Sequence, residues 1–256
     1  MPVLLVPGIL FKELRSNKFY WILILLFGAS FYLILDLYGY VPNHKHIFAY
    51  VMLAVTLSLF LDNAEGSLKF LKVQSRLIIG LCFLFAVIGK FMAPEFLDST
   101  FFNFTNTTDP RFFGFTSIFG SVDLELLKTN EEVFRKFLMT DNTLERFTLH
   151  GGDNIRGFSY FLTYWTIFVE GMIAICFLTP ERFLLSKYRN LFLVTFILTT
   201  YPIATVTGFA IILTYMGFVQ SIEEWKLSNY SLFYLLVLIL LPLNYFPFSK
   251  LLTLFI

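Results

Sequence analysis

Charge is scarce in this chain. Only 14% of its 256 residues are Asp, Glu, Lys or Arg, against about a quarter in soluble domains. With 57% hydrophobic and 20% aromatic residues and a mean hydropathy of +0.73, that scarcity excludes an ordinary water-soluble globule. The formal net charge is +1, and without a basic excess to neutralise phosphates nucleic acid is excluded as a partner. Cysteine is nearly absent: Cys82 and Cys176 are the only two. Both sit in apolar runs without CxxC spacing, so they read as packing thiols and not as a disulfide framework or a zinc site. No glycine-rich phosphate loop, HExxH helix or Ser-His-Asp arrangement is present. The three histidines, His44, His46 and His150, lie in or beside loops, so no metal site and no haem ligand pair within the apolar runs is expected.

What is present is apolar sequence in long stretches. Six segments approach the roughly 20 residues that a bilayer crossing needs, near 19–37, 46–61, 76–93, 158–178, 191–219 and 231–248. The expected fold is all-α: one polytopic transmembrane helix bundle over 1–256, with about six spans and a long external loop at 94–157. The first run is too long for a cleaved signal peptide, and no small-residue cleavage site follows Tyr38-Gly39-Tyr40. The run at 3–11 is too short to cross and is expected in the interface.

Basic residues set the orientation. Lys12, Arg15 and Lys18, then Lys69, Lys72 and Arg76, then Arg182, Lys187 and Arg189, with Lys250, fall in alternate short connections, whereas the opposite ones carry only Lys45 and Lys226. By the positive-inside rule both termini are expected in the cytoplasm, with an even number of spans. The long connection then lies outside. It carries ten acidic and six basic side chains and reads either as an acidic lid or as a solvated face. Within it, 124–138 predicts a short amphipathic helix with Asp123 or Ser121 as cap. Asn103-Phe104-Thr105 and Asn106-Thr107-Thr108 match glycosylation acceptors, triplets that are common by chance.

Lys90 near the end of the third run is the residue on which function turns. An ammonium in hydrocarbon is costly, so it is functional, paired with a carboxylate, or snorkelling to the interface. At about 1.5 Å per residue, Asp36 reaches a similar depth. Glu170 lies roughly 8 Å deeper on the same rise, which makes Asp36 the better-matched partner. Cys82, Ala86, Gly89 and Ala93 cluster beside Lys90 and predict a close helix contact. Thr163, Thr166, Glu170 and Ala174 form a second stripe, expected to face the bundle interior. The 191–219 run is too long for one untilted helix and contains Thr199-Thr200-Tyr201-Pro202. It predicts either a broken helix whose freed carbonyls meet a cavity, or a Pro kink satisfied by neighbouring threonines.

The stretch Arg76…Gly80…Gly89-Lys90-Phe91…Pro94-Glu95-Phe96 resembles the signature helix of DoxX-like and MauE-like bacterial membrane proteins. It is similar also to the lysine-bearing helix of the vitamin K-dependent gamma-carboxylases and their HTTM relatives, in which a later span often carries a Glu near a Gly, as Glu170-Gly171 does here. This resemblance covers about the middle half of the chain. It implies that Lys90 is a neutral amine taking a proton from a bound hydroquinone. Two departures stand against a full carry-over. The fifth run has Thr199–Pro202 where a histidine is usual in that family, and a chain that stops at Ile256 leaves no room for a lumenal carboxylase domain.

Two functional classes follow. In the first, an outward-facing cavity binds a quinone or similar amphiphile for redox or proton chemistry, with Lys90 and Glu170 as catalytic groups and Asp36, Thr163, Thr166, Thr199 and Tyr201 as cofactor-binding residues. In the second, the charges are a buried structural network, and the protein is a non-catalytic subunit that meets the lipid bilayer and a membrane protein partner through its outer loop.

Overall fold

A computed structural model describes residues 7–8, 10–37, 43–139, 147–204, 206–223 and 226–241, with the side chains of 29, 31–33, 35–36, 43–45, 153 and 204 outside that set. Apart from an isolated bridge between Glu223 and Lys226, regular structure among the described residues is helical. The helices are α1 (Lys12–Arg15), α2 (Lys18–Asp36), α3 (Asn43–Ser58), α4 (Ala64–Met92), α5 (Pro94–Leu97), α6 (Thr100–Thr108), α7 (Phe113–Gly120), α8 (Leu124–Met139), α9 (Asp153–Leu178), α10 (Arg189–Ala204), α11 (Thr207–Ser221) and α12 (Asn229–Leu240), with a 3-10 turn at Leu184–Tyr188. Two stretches, Ala64–Met92 and Asn154–Leu178, are long and apolar enough to cross a membrane by length and composition. Four shorter apolar helices accompany them: Lys18–Gly28, His46–Ser58, Thr207–Ser221 and Asn229–Leu240.

The chain divides into two compact units, the second of which includes residues 94–157. The first unit is Met1–Cys82, Phe177–Asn190 and Val206–Ile256. Here α2 lies along α3, and α11 packs on both α3 and α12. Thr56 Oγ1 donates to the Met52 carbonyl at 2.8 Å, and the Lys18 ammonium sits 4.9 Å from the Phe60 ring centre. The start of α2 therefore meets the end of α3, as in an antiparallel pair. Gly80 makes room for a neighbouring side chain: a Cβ there would stand 2.7 Å from Leu178 Cδ2 and Cγ.

The second unit is Phe83–Cys176 with Leu191–Thr205. The 94–157 connection contains four helices, α5 to α8. Pro94 opens α5 from its first turn, where a missing N–H costs nothing. Asp123 Oδ1 accepts from the Glu125 backbone N–H at 3.0 Å, so the predicted amphipathic helix begins at one of its two expected caps. Its inner face buries Leu127 and Asn130, and Leu127 joins Phe113, Val122 and Ile155 in a core cluster. Its outer face carries the Lys128–Glu125 and Arg135–Glu131 pairs at helical spacing. Asn130 donates to the His150 carbonyl at 2.7 Å and accepts from its N–H at 3.0 Å. Asn106 is fully buried with Nδ2 donating to Ser159 Oγ, an arrangement that leaves no room for a glycan on that triplet.

One correction changes the topology. The 191–219 run does not go from one side to the other. Gln220 Nε2 donates to Asn190 Oδ1, and Gln220 Oε1 accepts from Arg189 Nε at 2.9 Å, so the chain between 190 and 220 leaves and returns to the same place. It does so as a broken helix: α10 contains Pro202, and an extended Val206 precedes α11. The 16 and 15 residues of these helices span roughly 24 and 22 Å, each short of a hydrocarbon core about 30 Å thick. Two shorter helices fit a stretch too long for one crossing and too short for two.

Candidate functional site

Lys90 and Glu170 are brought together. Lys90 Nζ lies 2.5 Å from Glu170 Oε2, and their side chains are 18% and 9% exposed. The ammonium also lies 5.3 Å from the centre of the Phe96 ring, whose face attracts cations. In this arrangement the amine donates, the reverse of what proton abstraction from a hydroquinone asks of it. Among the described residues the partner is thus Glu170. Counting rise along two separate helices assumes a common starting level for the apolar runs, whereas α4 already starts at Ala64 and α9 at Asp153. Two flexible side chains also close a gap that backbone levels leave open. Asp36 ends α2, and its side chain lies outside the described residues.

Around Glu170 the predicted polar stripe is buried. Ser159 and Thr163 are fully buried, and Glu170 and Ala174 nearly so, with Thr166 half-buried. Ser159 Oγ donates to the Ile155 carbonyl at 2.8 Å, whereas Thr163 Oγ1 has no partner among the described residues. The stripe beside Lys90 behaves otherwise. Gly89 is exposed and a Cβ on it would meet nothing within 4 Å, so the close approach expected there is absent. Small residues permit a neighbour without supplying one.

Of the predicted site residues, Thr199 borders a cavity. A cavity of about 520 Å³ is lined by Phe115, Phe119, Phe158, Phe161, Leu162, Trp165, Leu198, Thr199, Pro202 and Ile203. Phe119 stacks on Phe158 with ring centres 5.7 Å apart, and Phe161 on Trp165 at 6.1 Å. Trp165 Nε1 donates to Thr199 Oγ1 at 3.3 Å, and Thr199 Oγ1 donates to the Thr195 carbonyl at 2.8 Å. The wall is apolar and flat-faced, with one hydrogen-bonded indole and hydroxyl in it. Tyr201, two residues beyond Thr199, turns its ring edge to Phe196 at 6.0 Å and does not line this space.

The aromatic lining escaped the sequence-based site, although Phe158, Phe161, Leu162 and Trp165 recur at helical spacing and Pro202 marks the facing wall. That spacing was visible. What it could not say is that helix α7 would bring Phe115 and Phe119 to the same place. Comparison with protein-family models, with curated proteins and with solved structures finds no match to this chain.

Proposed function

We propose that this is an integral membrane protein that binds a quinone or a similar ring-bearing amphiphile in the aromatic cavity. The observation that carries this reading is the cavity itself. Its 520 Å³ falls in the range of small-molecule sites, about 300–1,000 Å³, and stacked Phe and Trp faces suit a planar ring. The membrane setting is supported by what the long helices expose. Phe85 and Phe91 on α4 are 66% and 59% exposed, as is Phe161 on α9 at 59%, a girdle too apolar to meet water. The resemblance to the DoxX-like and HTTM groups agrees with quinone chemistry, but Lys90 serves here as the ion-pair partner that makes a carboxylate tolerable in hydrocarbon. With 190–220 a re-entrant pair, α4 and α9 remain as the helices whose described length suffices for a crossing. Lys226 then joins Lys69, Lys72, Lys187 and Arg189 on the cytoplasmic side.

Trp165 reports on the cavity. In the full chain with Trp21→Phe and Trp225→Phe, a short-tailed benzoquinone should quench its fluorescence saturably. Ile203→Phe, which narrows the space, should weaken the half-saturation by about tenfold. Quenching that rises linearly and is indifferent to Ile203→Phe would mean simple partitioning into detergent and would end this reading.

A second reading, a non-catalytic subunit of a larger membrane assembly, is favoured by Ile118 and Met139, 73% and 79% exposed on helices of the outer connection. Co-purification of an intact complex that Ile118→Ser disrupts, without any ligand effect at Trp165, would select it.

A further inference from the structure

We infer that the first unit holds an anion site that takes a phosphate group, in the basic cavity formed where the start of α4, the 3-10 turn leading into α10 and the α11–α12 connection meet.

The cavity has a volume of about 620 Å³, and its lining sets five cations, Lys69, Lys72, Arg76, Lys187 and Arg189, against two carboxylates, Glu181 and Glu223. Lys226 extends the basic lining through an adjoining hollow that it shares with Lys72. A cytoplasmic excess of Lys and Arg needs no more than topogenic signalling to explain it. Concavity and organisation are what that explanation leaves out.

The two guanidiniums are held in place. Arg76 Nη1 donates to Glu181 Oε1 at 2.6 Å and Nη2 to the Thr179 carbonyl at 3.1 Å. Arg189 Nη1 reaches the same Glu181 oxygen at 3.4 Å and Ser186 Oγ at 3.2 Å, while its Nε is fixed by Gln220. Gln220 in turn donates to Asn190 Oδ1, which also accepts from Tyr234 Oη at 3.2 Å. One carboxylate, itself 68% exposed, therefore serves two arginines. Arg76 Nε is buried and finds no acceptor among the described residues. Burial and the nearby Arg76 charge both hold the Arg189 guanidinium below its ordinary pKa, as expected where cations crowd with too little negative charge between them.

Lys69, Lys72 and Lys187 complete the rim, and none of them is paired with a carboxylate among the described residues. A phosphate group supplies what is missing: several acceptor oxygens and negative charge, one unit on a lipid phosphodiester and up to two on free phosphate, to be met by forked guanidiniums and mobile ammoniums. Basic pockets between helices at a cytoplasmic surface suit phosphate-bearing headgroups, and Val73 and Tyr230 at the same rim would meet the apolar part of a lipid. A free phosphate has the same chemistry, so the test separates the two sources.

Melting of the purified full chain is measured in phosphatidylcholine bilayers with and without phosphatidylglycerol, and separately with inorganic phosphate. Saturable stabilisation by either probe is expected. Lys69→Gln/Lys72→Gln/Lys187→Gln, which breaks no ion pair, should weaken its half-saturation at least about tenfold. Lys128→Gln/Arg135→Gln/Lys136→Gln, which removes the same charge elsewhere, should leave it unchanged. Stabilisation by phosphatidylglycerol alone assigns a lipid headgroup, and stabilisation by phosphate assigns a soluble ligand. The inference is overturned if neither probe stabilises, if the cavity variant responds like the native chain, or if the control variant loses the response equally. None of these outcomes depends on the aromatic cavity of the second unit.

Discussion

Lys90 Nζ meets Glu170 Oε2 at 2.5 Å with both side chains largely shielded, across eighty positions of sequence. Removing one partner leaves the other charge buried and unanswered, which in such pairs costs about 3–5 kcal/mol. Lys90→Met should therefore lower the melting temperature sharply, and Lys90→Met/Glu170→Met should recover most of the loss. Equal melting of native and Lys90→Met protein would show that the pair supports nothing.

Because the two ends of the 190–220 segment meet, they are expected on one side of the membrane. In a chain with Cys82→Ser and Cys176→Ser, a cysteine at Lys226 should react with a membrane-impermeant maleimide only after permeabilisation, like one at Lys69. A cysteine at Lys128 should react in intact cells. Labelling of position 226 from outside would restore a single crossing at 191–219 and dismiss the re-entrant arrangement.

Two glycines on one helix should respond with opposite sign. Gly80→Ala places a methyl against Leu178 Cγ and should destabilise by about 1–3 kcal/mol. Gly89→Ala enters open space and should stabilise by up to about 1 kcal/mol through helix propensity alone. Paired melting curves decide it, and a loss at Gly89 would reveal a neighbour packed there.

Asn130 closes the outer connection through both bonds to His150. Because Asn130 is buried, Asn130→Ala strands a backbone donor and an acceptor and should cost about 1–3 kcal/mol. Hydrogen exchange at the His150 amide should accelerate accordingly. Unchanged protection would mean that water replaces the side chain without loss.

Much of the helical architecture was legible because apolar length and periodicity are local properties. The long helices ending at Met92 and Leu178, the amphipathic helix starting after Asp123 and the buried stripe through Thr163 and Glu170 all lie where spacing put them. Partnerships were harder. Sequence depth favoured Asp36 for Lys90 because it counts backbone rise and ignores the reach of side chains. The stripe through Gly89 marked where a helix could approach, whereas the approach occurs at Gly80. The 191–219 run was ambiguous by length, and its polar ends, Arg189-Asn190 and Gln220-Ser221, announce a return only once they are seen to bond. Basic residues suggested an orientation and were silent about the hollow they line.

Pro202 stands in α10 and brings no N–H to the carbonyl of Leu198, its usual acceptor one turn earlier. Both residues line the aromatic cavity, so the proline that interrupts the hydrogen-bond ladder of α10 also shapes the wall, and a change at that position would alter the helix and the hollow together.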